Sequence, residues 1–150
     1  MITQRYSITI AAPRETVWRT MLDQDTYRQW TRAFSPNSQY VGEWTEGSHI
    51  LFVDPGRGGM KALLETVRPY ERVEARHIAV LGPDGAEDDS SDEARRWTGC
   101  RECYSFTVTE GGTRLDVEVD LDERYRSSFD EMWPQALQSL RALCEAPSGG

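Results

Sequence analysis

Residues 111–145, "GGTRLDVEVDLDERYRSSFDEMWPQALQSLRALCE", change hydrophobic period halfway along, and that change decides the fold. From Thr113 to Asp122 the sequence alternates strictly. Leu115, Val117, Val119 and Leu121 point one way; Arg114, Asp116, Glu118, Asp120 and Asp122 point the other. Successive strand side chains leave opposite faces, so this is a strand with one buried and one wet face, as in an antiparallel sheet covered on one side. After Asp122 the apolar residues fall at Phe129, Met132, Trp133, Ala136, Leu137, Leu140, Leu143 and Cys144. That i, i+3, i+4, i+7 stripe predicts an amphipathic helix of about five turns. Pro134 lies inside it, removes the backbone bond to residue 130 and predicts a kink.

Upstream, residues 3–10 alternate as a further half-buried strand, with Tyr6, Ile8 and Ile10 on one side. Two short helices follow. Pro13 opens the first, which carries Val17, Trp18, Met21 and Leu22; Asp23 or Asp25 caps the second, which carries Tyr27, Trp30 and Phe34. Strand patterns then occupy 38–44, 48–54, 60–68, 72–81 and 98–109, with DPGRGG and EGGT as hairpin turns. Residues 82–96, GPDGAEDDSSDEARR, are acidic and hold only two alanines as apolar content. Such a segment cannot bury enough surface to fix itself, which predicts a mobile, dispensable loop. No repeat or linker divides the chain, so one domain over 1–146 is expected, with 147–150 as a disordered tail.

The bulk numbers narrow the partners. The net charge is −8, and no basic run exceeds Arg95-Arg96. A phosphate-binding surface needs clustered cations, so neither nucleic acid nor an anionic membrane is an expected partner. No stretch reaches the roughly 18 apolar residues that span a bilayer. MITQRYSITI has no basic start followed by an apolar run, so no signal peptide is read there. With three cysteines, an odd number, reduced thiols in the cytoplasm are the expectation. Homodimerisation stays open.

A sheet of this length with too few helices to cover both faces must curl around the one long helix available. The fold class is therefore α+β of the helix-grip kind: a curved antiparallel sheet of about seven strands around a C-terminal helix. The segments "AAPRETVWRTMLDQDTYRQW", "GEWTEGSHILF", "ETVRPYERVEARH", "GGTRLDVEVD" and "ALQSLRALCE" together resemble the SRPBCC superfamily, also called START-like or birch-pollen-allergen-like. Within it the chain looks closest to the homologues of the activator of the ninety-kilodalton heat-shock ATPase. It departs from that branch in the length of 82–96 and in Met132-Trp133-Pro134, where a glycine-tryptophan often opens the last helix. The resemblance implies a deep cavity between sheet and helix that takes a hydrophobic or aromatic small molecule.

Candidate chemistry is sparse. Cys100-Arg-Glu-Cys103 has the C-x-x-C spacing, but on a strand residues three apart face opposite ways, which predicts neither a disulfide nor a zinc site. No nucleophile-elbow, zincin, P-loop or dinucleotide-binding glycine motif is present, and no metal or cofactor is expected. The one polar constellation is His77 on 72–81 with Glu102 and Tyr104 on 98–109. A hairpin centred near residue 90 sets His77 opposite Glu102, where each favours the charged form of the other. A polar pair that only fixes register is the plainer reading. Candidate ligand-binding residues are Trp30, Phe34, Trp44, Ile50, Phe52, His77, Glu102, Tyr104, Phe129, Met132 and Trp133. A solid core is the plainer reading of their apolar members. Trp18 is assigned to the core, and Trp97 is set aside as bordering the mobile loop. If there is a cavity, Trp133 is expected to be only partly surrounded.

Three functions follow from different classes. The first is non-catalytic binding of a hydrophobic molecule. The second is an enzyme of the polyketide cyclase or aromatase type, with His77, Glu102 and Tyr104 as catalytic groups. The third, by analogy with the chaperone activator, is a protein-interaction role.

Overall fold

The computed structural model describes residues 1–146; the expected tail, 147–150, lies outside them. The chain runs β1 (Ile2–Ile10), α1 (Arg14–Leu22), α2 (Gln24–Trp30), β2 (Gln39–Val41), β3 (His49–Asp54), β4 (Gly58–Arg68), β5 (Arg72–Leu81), β6 (Glu87–Asp88), α3 (Asp92–Trp97), β7 (Arg101–Thr109), β8 (Gly112–Leu121) and α4 (Arg126–Glu145). The strands form one curved antiparallel sheet in the order β1-β8-β7-β5-β4-β3-β2, with the two-residue β6 added to the end of β5. This is the helix-grip fold, with α4 in the concave side of the sheet.

The period-2 strands pair so that their apolar sets coincide. In β1 and β8, Tyr6 opposes Val117 and Ile8 opposes Leu115. Leu115, Val117, Val119 and Leu121 are all buried. A slip of one residue would turn that whole set to water, so the register is strongly specified. The β3–β4 turn draws the backbones so close that only glycine fits: a Cβ on Gly59 would stand 1.9 Å from the carbonyl oxygen of Phe52.

Helix α4 runs 20 residues without a break through Pro134. Its stripe Trp133, Ala136, Leu137, Leu140, Cys144 is buried, and each leucine in it contributes roughly 1.5–3 kcal/mol on leaving water. Polar contacts seat its first half: the Asp130 carboxylate accepts from Tyr6 Oη and Gln4 Nε2, both at 2.8 Å. Helices α1 and α2 close the remaining end. Asp23 occupies the N-cap position of α2, but its side chain makes no capping bond there. The junction is held from the other side, by Trp30 Nε1 donating to the carbonyl of Met21 at 3.0 Å and by Tyr40 Oη donating to that of Leu22.

The acidic segment differs from its expectation. Residues 82–96 form β6 and most of α3, and Ala94 is fully buried. Ser91 caps α3 by accepting from the amide of Ala94 at 3.1 Å. Asp92 and Glu93 fall in its first turn and Arg95 and Arg96 in its last, the favourable arrangement for the helix dipole. Composition predicted a loop because it counts apolar residues; the capping pattern in Ser91-Asp-Glu-Ala-Arg-Arg is independent of that count.

Candidate functional site

A cavity of about 270 Å³ lies between the sheet and the first half of α4. Each wall comes from a different element. Tyr27 and Trp30 come from α2 and Phe34 from the turn after it; Phe52 comes from β3, Met60 from β4 and His77 from β5. Glu102 and Tyr104 come from β7, Trp97 from the end of α3, and Phe129, Met132 and Trp133 from α4. Side chains at i and i+2 of a strand share a face, which is why Glu102 and Tyr104 look the same way.

Nine of the residues singled out in the sequence meet here: Trp30, Phe34, Phe52, His77, Glu102, Tyr104, Phe129, Met132 and Trp133. Trp44 and Ile50 do not. Ile50 is fully buried in the core, and Trp44 stands behind the wall, 6.0 Å from the Phe52 ring, with its buried indole nitrogen unpartnered. Trp133 is not the loosely held residue expected of a cavity wall. It is 2% exposed and lies among Phe34 at 4.9 Å, Tyr6 at 6.0 Å, Trp30 at 6.1 Å and Tyr104 at 6.4 Å.

The sequence reading missed Trp97. It stacks on Tyr125 at 4.9 Å and on Phe129 at 6.1 Å, stands edge-on to His77 at 6.5 Å, and so closes one side of the cavity. Glu93 anchors this cluster, accepting from Trp97 Nε1 at 3.3 Å and from Tyr125 Oη at 3.2 Å. The signal available for Trp97 was the cap at Ser91, which makes the residue part of a helix instead of a loop border. Tyr27, Thr31, Ser38 and Met60 also reach the cavity and carried no distinguishing pattern.

The expected facing of His77 and Glu102 is shifted. Ala75 opposes Glu102, and His77 instead exchanges backbone hydrogen bonds with the segment before β7, its amide donating to the Cys100 carbonyl at 2.9 Å. An 18-residue insertion such as 82–99 does not set strand register as a tight turn does; the packing of each strand's apolar face does. The slip is by two positions, so both side chains keep the concave face. They do not stabilise each other's charge. Burial drives His77 down to about 4 and pushes Glu102 up to about 7, opposed at Glu102 by the nearby Tyr104 hydroxyl. Burial and the Glu102 charge hold Tyr104 well above the ordinary tyrosine range. The Nδ1 of His77 is buried without a partner.

The C-x-x-C sulfurs lie apart, although not by strand parity as expected, because Cys100 precedes β7 and only Cys103 is on it. Cys103 lines an outer groove with Arg5, Arg72, Arg114, Asp116 and Glu118, while Cys100 lies against Met1 and the Arg96 carbonyl. All three cysteines are free thiols. The outer groove is larger, about 500 Å³, but its cations are already engaged: Arg5 with Glu118 at 2.7 Å, Arg72 with Glu74 at 2.6 Å and Arg114 with Asp116 at 3.1 Å. Among the described residues no group of three or more His, Cys, Asp or Glu side chains is placed to hold a metal, and no helix is long and apolar enough to cross a membrane.

A sheet gripping a C-terminal helix around an aromatic cavity defines the SRPBCC, or START-like, class. Residues 11–145 match the profile of the family described as Activator of Hsp90 ATPase homolog 1-like protein, and the chain belongs to that family. Similar solved structures include protein MLL2253 of Mesorhizobium loti, at 16% identity and TM-score 0.74 over 95% of this chain and 96% of that one. The Aha1 dimer of Colwellia psychrerythraea matches at 19% identity and TM-score 0.74 over 99% and 100%. DynU16, from the dynemicin biosynthetic locus, matches at 17% identity and TM-score 0.69 over 94% of this chain and 46% of its own. At these identities the likeness is one of fold. No curated protein matches the chain.

Proposed function

We propose that this protein binds a hydrophobic or aromatic small molecule in the cavity between the sheet and α4, without transforming it. The observation that carries the reading is the wall itself. Aromatic rings from α2, β3, β7, α3 and α4 surround a space of about 270 Å³ that holds few polar groups, the composition of a small-molecule site. A core filled for stability alone would close such a space, because protein interiors pack to crystal-like density. Native mass spectrometry of freshly purified protein tests this. A carried-through or added aromatic ligand is expected as a discrete mass increment, and Phe129→Ala should weaken its retention. Failure to retain any aromatic compound would move the search for function to the surface.

One observation favours a second reading, a cyclase or aromatase type of enzyme. Glu102 is a carboxyl poised near neutrality in an apolar cavity, where it could take a proton from a carbon beside a carbonyl while the Tyr104 hydroxyl donates to the enolate oxygen. The similarity to DynU16 agrees with a biosynthetic setting but reaches only the fold. Turnover of a poly-β-ketone analogue, lost in Glu102→Gln, would favour this reading over simple binding. A homodimer is supported by the Colwellia relative alone, and light scattering decides it.

A further inference from the structure

The proposed cavity is lined by the Glu102 carboxyl, and the one permanently charged cation on its wall, Arg101, is committed to another partner. Among the described residues Glu102 makes no ion pair, and each charged or titratable neighbour is accounted for. From β5 comes His77, kept neutral by its burial. From β7 comes Tyr104, and from α2 Tyr27, both weakly acidic phenols held protonated. Asp120 of β8 adds negative charge at the wall. Arg101, at the wall beside Glu102, has its guanidinium engaged by Glu65 at 3.2 Å and makes no ion pair with Glu102. Helices α3 and α4 contribute Trp97, Phe129, Met132 and Trp133, none of them ionisable.

An unpaired carboxyl inside a box of aromatic rings is the complement of an organic ammonium ion. The rings present negative π faces to a cation, and the carboxylate supplies the counter-charge that burial makes expensive to leave alone. The whole chain, at −8, also draws cations toward it. We infer that the ligand of this cavity is a hydrophobic amine, bound as its ammonium ion against Glu102 and the surrounding aromatic walls. The inference rests on the cavity-binding reading above and gives it a chemical class. Below about pH 7 binding displaces the carboxyl proton to solvent, the neutral acid and the ammonium ion becoming an ion pair; at pH 8 the carboxylate is already formed and pairs with the ammonium ion directly.

A matched pair of probes tests it: 2-(2-naphthyl)ethylamine and the corresponding alcohol, titrated calorimetrically into the full-length protein. At pH 8 the amine should bind at least tenfold more tightly than the alcohol. An alkylammonium keeps its charge well above neutrality, as lysine does with a pKa of about 10, so between pH 6 and 8 only the protein titrates. Amine affinity should therefore rise about tenfold over that range while alcohol affinity stays flat. Glu102→Gln should abolish both the preference and the pH dependence yet retain the alcohol; the wild-type pH series carries the test even if that variant folds poorly. Equal or better binding of the alcohol to the wild type overturns the ammonium assignment and leaves the cavity reading standing. If neither probe binds, both fall.

Discussion

Helix α4 has two halves that read alike in sequence and differ in what they face. From Ala136 to Cys144 the stripe packs into solid core against α1 and the sheet, with Leu140 fully buried. From Phe129 to Trp133 it borders the cavity, with Phe129 and Met132 only half-buried. The hydrophobic period is the same throughout, because periodicity records which side of a helix avoids water and not whether the space beyond is filled. Trp133 is the boundary: it touches the cavity, yet its other surfaces are as well packed as any core residue's.

The sharpest way to break this contrast is to truncate on either side of the boundary. Trp133→Ala and Leu140→Ala should each cost about 3–5 kcal/mol, the range for large side chains removed from packed sites. Met132→Ala should cost only about 1–2 kcal/mol, since one side of Met132 already lacks partner atoms. Chemical denaturation measures all three. Equal losses at Met132 and Leu140 would mean that the cavity half is packed like the other.

A second test uses protons. Glu102 sits near 7 in the fold against an ordinary 4.5, so its contribution is present below about 4.5 and is lost as the pH rises through 7. His77 runs the other way: moved from 6.5 to about 4, it contributes above 6.5 and is lost as the pH falls toward 4. Between 4.5 and 6.5 the two slopes oppose each other in the wild type. Glu102→Gln should raise stability at pH 8 by on the order of 2 kcal/mol and leave it unchanged near pH 4. His77→Leu should remove the acid-side loss instead. Thermal melts across pH read both, and a Glu102→Gln variant no more stable at pH 8 would place that carboxyl in water, outside the cavity.

The smallest effect belongs to the acidic segment. Replacing residues 84–94 with a Gly-Ser turn removes the Ser91 cap and buried Ala94, and should cost about 1–2 kcal/mol without unfolding the domain. Because Trp97 loses its Glu93 anchor, ligand retention should fall as well. Unchanged stability and retention would show that α3 neither braces the fold nor closes the cavity.

Where the sequence was readable, one periodic signal sufficed. The alternation in Leu115 to Leu121 and the stripe from Phe129 to Cys144 gave the two layers, and too few helices to cover both faces made the sheet curl. The candidate site was legible as far as residue type and strand parity go, which brought His77, Glu102 and Tyr104 to one face. Depth was not legible. Ile50 and Phe52 alternate with the same neighbours, yet only Phe52 reaches the cavity, because the sheet's curvature decides how far each side chain stands from α4. Register across 82–99 and the role of Trp97 escaped for a related reason. Both depend on a short helix whose evidence was a cap and a charge order, not a hydrophobic period.

The aromatic box has an optical consequence. Of the five tryptophans, Trp30, Trp97 and Trp133 line the cavity, and the rings of Trp30 and Trp133 are 6.1 Å apart. Excitation absorbed by either of those two can pass to the other before it is emitted, so both report on one volume of space. A compound that enters comes against these rings and quenches or shifts their emission together, while Trp18 and Trp44, outside the cavity, supply a background. Trp97, 6.5 Å from His77, adds a second channel, because a protonated imidazole quenches a neighbouring indole and this one should do so only as the pH approaches 4. The protein thus carries its own dye at the place where a ligand would have to sit.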